Sequence, residues 1–219
     1  MFDELDALSF LEVKMILVYH SKESYLVGGA VRDLLLGNSP KDLDFVTDIP
    51  YKELTAIFEE AGWATKATGE AFLVLNVSKN GNHYEIANFR KDVNEDGRHC
   101  DVVVGTIEED CKRRDFTINS LYLKLDSGII IDPCSTGIKD IEERVIRFNG
   151  DPKKRIEEDY LRVFRFYRFI TKGFTPDKKH LKVVRTMFNT AYKNTNPERV
   201  REEIEKMVDI NKIQRKGML

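Results

Sequence analysis

Cysteine is scarce: the 219 residues hold only Cys100, Cys111 and Cys134. An odd, sparse set without CxxC spacing argues against a disulfide framework and against a structural zinc site. Neither sign of charge dominates. A net charge of −2 excludes a uniformly basic surface, so any RNA contact must come from local clusters of Lys and Arg. Long apolar runs are absent and the opening MFDELDALSF is acidic, so neither a signal peptide nor a membrane span is expected. Internal repeats and low-complexity segments are also lacking. These absences describe a soluble protein of a reducing, cytoplasmic compartment.

What remains is enough apolar residue, 42%, to bury one core with a smaller helical appendage. Apolar positions from Phe10 to His20 recur at helical spacing. Tyr25 to Val27 reads as a short strand that stops at Gly28-Gly29, and Ala30 to Leu36 as a helix ended by Gly37 and Pro40. Lys41 to Val46 alternates like a half-buried strand, and further strands are expected at Phe72 to Val77, Tyr84 to Phe89, Leu121 to Leu125 and Gly128 to Ile131. Asn94 to Gly97 is a turn or mobile loop. After Asp132-Pro133 helical periodicity takes over, with helices expected at Ile156 to Lys172, Pro176 to Lys193 and Pro197 to Val208. The class is α+β: a mixed or antiparallel-sheet head over residues 1–138, then an all-helical neck over 139–219.

Three constellations carry chemistry. In YLVGGAVRDLLLGNSPKDLDFV (residues 25–46) the Gly28-Gly29 turn exposes backbone N–H groups to an anion, and Arg32 follows one helical turn later. Asp42 and Asp44, as residues i and i+2 of a strand, would project side by side while Leu43 faces the core. Such carboxylates repel unless a cation sits between them, and oxygen ligands of this kind suit Mg²⁺, with Mn²⁺ fitting the same oxygens. In KRRDFTINS (residues 112–120), Arg114, Asp115 and Asn119 combine a cation with hydrogen-bonding groups suited to phosphate and ribose. In EDYLRVFRFYRF (residues 158–169), Asp159, Arg162, Arg165 and Arg168 form a row at three-residue spacing on one helix. That row is an ordinary set of helix ion pairs or a template that reads base edges.

Together these motifs resemble class II tRNA nucleotidyltransferases (CCA-adding enzymes) and bacterial poly(A) polymerases, within the polymerase β-like superfamily. GGAVRD with DLDF, then RRDFTxNA with Ser120 at the alanine, then EDxxRxxR, and finally ERVxxE at Glu198 to Glu203 occur in order from Tyr25 to Met207. The resemblance implies that Gly29 and Arg32 meet the triphosphate and that Asp42 and Asp44 hold two catalytic metals. Glu85 matches a third acid. Arg114 would contact the triphosphate and Asn119 the sugar. Asp159 and Arg162 would read the base, with Arg165 and Arg168 in support. Asp132-Pro133, Gly137, Asp140, Arg144 and Phe148 to Asp151 match a structural connection, and the last motif would brace the neck.

The function so implied is template-independent addition of C and A from CTP and ATP to the 3′ end of tRNA. Poly(A) addition, CC-only or A-only addition, and a non-catalytic nucleotide- or RNA-binding domain are the alternatives. Family members usually continue into body and tail domains that grip tRNA. This sequence stops about a dozen residues after the last motif, as a minimal enzyme of a compact viral genome (acting in host-cell cytoplasm) or as a fragment. RNA grip would then fall to a homodimer or to Lys172, Lys178, Lys179, Lys182 and Arg185.

Overall fold

The structure, a computed structural model, describes residues 4–69, 73–93 and 101–208. The chain divides into two compact units at Ile141/Glu142. The first contains α1 (Glu4–His20), β1 (Ser24–Val27), α2 (Gly29–Leu35), β2 (Asp44–Thr47) and α3 (Tyr51–Glu60). It continues with β3 (Ala64–Gly69), β4 (Val74–Lys79), β5 (Asn82–Asn88), β6 (Arg90–Val93) and β7 (Asp101–Val104). It closes with α4 (Ile107–Arg113), a 3₁₀ turn (Thr117–Asn119), β8 (Tyr122–Lys124), β9 (Ile130–Ile131) and α5 (Gly137–Glu142), whose last residue lies across the division.

The main sheet has the order β3-β4-β5-β2-β1-β8-β9. Its pairs are antiparallel except β2 with β5, where Asp44 lies level with Glu85. The sheet is therefore mixed, as an α+β head requires. All four residues of β1 are buried, because both faces of this central strand are covered. Alternation sorts its neighbours. Phe45 stacks on Phe10 of α1, beneath the fully buried Val13 and Leu17. Tyr25, Val27 and Val46 point the other way, into a cluster with Phe89, Cys111 and Tyr122. Burying the larger side chains here contributes about 1.5–3 kcal/mol each, so the strands that carry the site rest on a firm base.

The second unit holds β10 (Val145–Ile146), α6 (Pro152–Glu158), α7 (Leu161–Thr171), β11 (Thr175–Pro176), α8 (Lys178–Asn194) and α9 (Pro197–Met207). Its helices start where sequence chemistry says they should. Asp151, Asp177 and Asn196 each accept hydrogen bonds from first-turn amides, and Pro152 and Pro197 occupy first-turn positions that need no donor. Phe148 stacks on Phe166 at a 5.4 Å centroid separation, fixing the segment before α6 against α7. This unit is not purely helical: β10 and β11 form a two-residue parallel pair.

Several expectations need correcting. The helix expected over Ile156 to Lys172 is two helices, broken at Asp159-Tyr160. Asp159 is extended (φ −149°, ψ 106°), and its carboxylate accepts the Leu161 amide, a local bond that competes with helix continuation. The strand expected from Lys41 begins only at Asp44, so Asp42 lies in the bend before it. Cys111 and Cys134 are disulfide-linked, a bond the reading against a disulfide framework did not foresee, because α4 and the loop after β9 meet at the same core cluster. Of the expected turn, Asn94 to Gly97 falls outside the described residues, as do Cys100 and the start of the Phe72 strand. No helix among the described residues is long and apolar enough to cross a membrane.

Candidate active site

The glycine turn sits at the end of the central strand. Gly28 adopts φ +66°, a backbone region that disfavours side chains, and its amide donates to the Leu121 carbonyl at 3.2 Å. A Cβ on Gly28 would lie 3.4 Å from Nη1 of Arg114, and one on Gly29 would lie 3.5 Å from Nη2 of Arg32. Two guanidiniums from residues 82 positions apart therefore lean over one bare stretch of backbone.

Each arginine is held by its own scaffold. Arg32 donates through Nη1 to Oδ1 of Asn119 at 2.6 Å and through Nε and Nη2 to Oδ1 of Asp33 at 2.9 and 2.7 Å. Asn119 is oriented in turn by donating to Asp115 Oδ1 at 3.1 Å, an atom that also accepts the Phe116 amide. The KRRDFTINS segment and the glycine turn are thus parts of one network.

Arg114 rests on two residues that sequence reasoning missed. Asp110, fully buried in the middle of α4, accepts from Arg114 Nη2 at 2.8 Å, from Arg113 Nε at 2.8 Å and from the Tyr122 hydroxyl at 2.6 Å. Burial by itself would raise the Asp110 carboxyl, but the Arg114 and Arg113 charges and the Tyr122 hydroxyl hold it below the usual carboxylate range. Burial likewise works against the Arg114 charge, and Asp110 and Tyr122 keep it firmly protonated. The ring of Tyr122 lies under the Arg114 guanidinium, 5.2 Å from its carbon. The i to i+4 spacing of Asp110 and Arg114 was a signal available in the sequence; Tyr122 looked like any core strand residue.

The carboxylates stand beside this pair. Leu26 pairs with Phe45 across β1 and β2, which puts Asp44 opposite Val27 and next to the turn. Asp44 shares the face of Val46, the face that carries Tyr122 and Arg114. Glu85 occupies the level position on β5, so both side chains project from the same side of the sheet. Asp42, Asp44 and Glu85 are all solvent-exposed at the sheet's end. Even so, the protein surrounding Asp44 and the neighbouring charges of Glu85 and Asp42 push its carboxyl up to about 6, against the pull of Arg114. A group of like charges that destabilise one another is a setting a cation relieves.

Among the described residues no three His, Cys, Asp or Glu side chains form a ready-made metal cage. Paired carboxylates of this kind fit Mg²⁺, which takes one or two carboxylates plus water and substrate phosphates, better than a metal that demands a full protein cage. Two cations leaning over the bare glycine backbone, near two or three carboxylates, can orient a polyphosphate and its counter-ion together.

In the second unit Asp159, Arg162 and Arg168 of the expected row are held by ion pairs. Asp159 accepts from Arg199 of α9 at 3.2 Å, and Arg162 donates to Glu158 at 2.5 Å and to the Arg155 carbonyl at 2.8 Å. Arg168 pairs through Nε with the buried Glu203 at 2.8 Å. Asp159 and Arg162 stay one turn apart through the Arg162 amide bond to the Asp159 carbonyl, though only Arg162 lies on the helix. Arg199 and Glu203, both from the last motif, brace this row. Among the structural residues, Asp140 is buried and accepts the Thr117 hydroxyl at 2.6 Å. A Cβ on Gly137 would strike the Thr117 carbonyl at 2.6 Å, so that close approach needs glycine.

Comparison with known proteins now bears on this geometry. A model of the poly A polymerase head domain matches residues 24–147. The mitochondrial CCA tRNA nucleotidyltransferase 1 of Danio rerio is 40% identical over 149 residues, covering 67% of this chain and 34% of that protein. Poly(A) polymerase I of Haemophilus influenzae is 36% identical over 162 residues, covering 68% and 35%. The crystal structure of the Bacillus stearothermophilus CCA-adding enzyme in complex with CTP matches with a TM-score of 0.77 at 33% identity, over 90% of this chain and 48% of that one. The chain thus spans about a third of the length of these curated relatives.

Proposed function

Because this chain belongs to the family of class II CCA-adding enzymes and bacterial poly(A) polymerases, we propose that it adds C and A from CTP and ATP to the 3′ end of tRNA without a template. The observation that carries this reading is the convergence of Arg32 and Arg114 over the Gly28-Gly29 backbone beside Asp44 and Glu85. In the reaction the RNA 3′-oxygen bonds to the α-phosphorus, the bond to the β-phosphate oxygen breaks, and pyrophosphate leaves with its charge. Arg32 and Arg114 orient the triphosphate and meet the charge that builds on it, with Asn119 and Asp110 fixing each guanidinium before substrate arrives. In this reading Asn119, held by Asp115, meets the sugar. Asp42 and Asp44, with Glu85 nearby, are the residues that would hold Mg²⁺, which supplies activation of the 3′-hydroxyl and neutralisation of the leaving group.

Base choice is assigned to Asp159 and Arg162. Their acceptor and donor groups, one turn apart, are complementary to polar edges that cytosine and adenine share, and Arg165 and Arg168 stiffen the row. The relative from Bacillus stearothermophilus binds CTP in its crystal, which supports a nucleotide as ligand here.

Poly(A) addition is the second reading, favoured by the similarity to poly(A) polymerase I. A tRNA lacking its 3′ CCA, incubated with the chain and Mg²⁺, separates the two. Growth by three nucleotides that needs CTP before ATP supports CCA addition. A long ladder from ATP alone means poly(A) synthesis, and no extension with either nucleotide removes both.

A further inference from the structure

α8 contains no Asp or Glu within a chain of net charge −2, yet carries Lys178, Lys179, Lys182, Arg185 and Lys193. At about 100° per residue, Lys178, Lys182, Arg185, Asn189, Tyr192 and Lys193 fall within one stripe roughly 100° wide. Every one of these six is exposed, Tyr192 to 63%. The opposite face explains why. Val184 and Ala191 are buried, Phe188 packs against Phe164 and Tyr167, and His180 accepts the Phe148 amide. None of the stripe's four cations forms an ion pair among the described residues. A hollow of about 370 Å³ lies along it, lined by Lys178, Leu181, Lys182, Arg185 and Thr186.

Like charges repeating along one exposed helix face repel one another, and a polyanion of matching length relieves that repulsion while releasing its own counterions. At about 1.5 Å rise per residue, Lys178 to Lys193 spans roughly 22 Å, long enough to follow several successive phosphates. An exposed tyrosine and an amide at the far end add a stacking face and hydrogen bonds, the combination that holds unpaired nucleotides. We propose that this stripe is the track on which the phosphodiester backbone of the RNA lies, with Tyr192 stacking on an unpaired base. The inference rests on the reading of the chain as an RNA-extending enzyme and gives that activity an RNA-holding surface. It also refines the sequence reading: Lys193 joins the track, whereas Lys179 points to the side of the stripe.

The test uses the full chain and a fluorescein-labelled tRNA lacking its 3′ CCA, with anisotropy titrations between 50 and 200 mM KCl, and CTP binding by calorimetry in parallel. Replacing Lys182 and Arg185 together by Gln removes two phosphate contacts. The slope of log affinity against log salt should then shrink by about 1.4–1.8, and affinity at 0.1 M salt should fall roughly tenfold or more. CTP affinity should stay the same, and Lys179→Gln should do less than Lys182→Gln. Tyr192→Ala should weaken binding of an oligonucleotide of unpaired bases more than of a duplex. An unchanged slope in the double variant, or no RNA binding by the wild-type chain, overturns the track. So does polyglutamate competing as well as RNA. If RNA affinity depends on Lys182 and Arg185 while CTP neither binds nor is incorporated, the track stands and the proposed transferase activity falls.

Discussion

Replacing Asp110 by Asn tests the arginine scaffold, because one buried carboxylate there serves three partners. Arg113, Arg114 and Tyr122 all donate to it, and the two arginine side chains keep only 17% of their exposure. The variant keeps the shape and removes the charge, leaving two guanidiniums without their counter-ion. Breaking a buried pair in this way costs about 3–5 kcal/mol, and the residual solvent contact favours the lower end. A unit of about 140 residues unfolds with an entropy near 0.3 kcal/mol/K, so a loss of about 3 kcal/mol lowers its melting temperature by about 10 °C. Trp63, the single tryptophan, is buried in this unit and reports its unfolding by fluorescence. The effect should depend on pH. A carboxyl held below its ordinary value stabilises the fold above the unfolded pKa, near 3.9, and that stability is lost as pH falls through the lower folded value. The gap between wild type and variant should therefore narrow as pH falls below about 5 and through the lowered folded value. At neutral pH the nucleotide KM should rise about tenfold, because Arg114 is no longer pre-positioned. A variant melting within about 2 °C of wild type, with unchanged KM, would refute the assignment of Asp110 as the anchor.

Other substitutions probe the remaining parts. Asp42→Ala and Asp44→Asn should each reduce transfer by about 10²-fold or more while the Trp63 melt stays in place, since both carboxylates are exposed; retained activity in either would sink the carboxylate assignment. Arg162→Ala should blur the preference for CTP and ATP over UTP and GTP in competition assays, and an unaltered preference would mean the base is read elsewhere. Glu203→Gln should destabilise the helical unit by about 3 kcal/mol, because Arg168 loses its buried partner; a helical melt unchanged by circular dichroism would count against that brace.

Much of this architecture was legible because local chemistry and tertiary contact agree. The turn at Gly28-Gly29, the helix start at Pro197, and the strands β1, β4, β5, β8 and β9 all follow signals within a few residues. Errors arose where a short bond or a distant contact decides. The Asp159 carboxylate captures the Leu161 amide and splits a pattern that is periodic throughout Ile156 to Lys172. α3, β3 and the β6–β7 pair were not anticipated, the helix that starts at Pro152 was expected only from Ile156, and α4, whose Thr106–Glu109 capping box stands in the sequence, was overlooked. In the site, Arg32 and Arg114 were identified from separate motifs, but only the fold brings both over one glycine turn. Tyr122 matters through its hydroxyl at the end of a buried ring, and a strand pattern gives no hint of where that hydroxyl points. The Cys111–Cys134 bond was invisible for a similar reason: 23 residues and two intervening strands separate two cysteines that the core brings together.

The central claim is that the site at Gly28, Arg32, Asp44 and Arg114 transfers nucleotides to an RNA 3′-hydroxyl. Its most direct test counts pyrophosphate released against nucleotides added to a tRNA lacking CCA, for the wild-type chain and Asp44→Asn. The account predicts one pyrophosphate per nucleotide added by wild type, no addition to a 3′-deoxy tRNA, and almost no reaction by the variant. Transfer by Asp44→Asn at the wild-type rate, or CTP consumed without growth of the RNA, would contradict it.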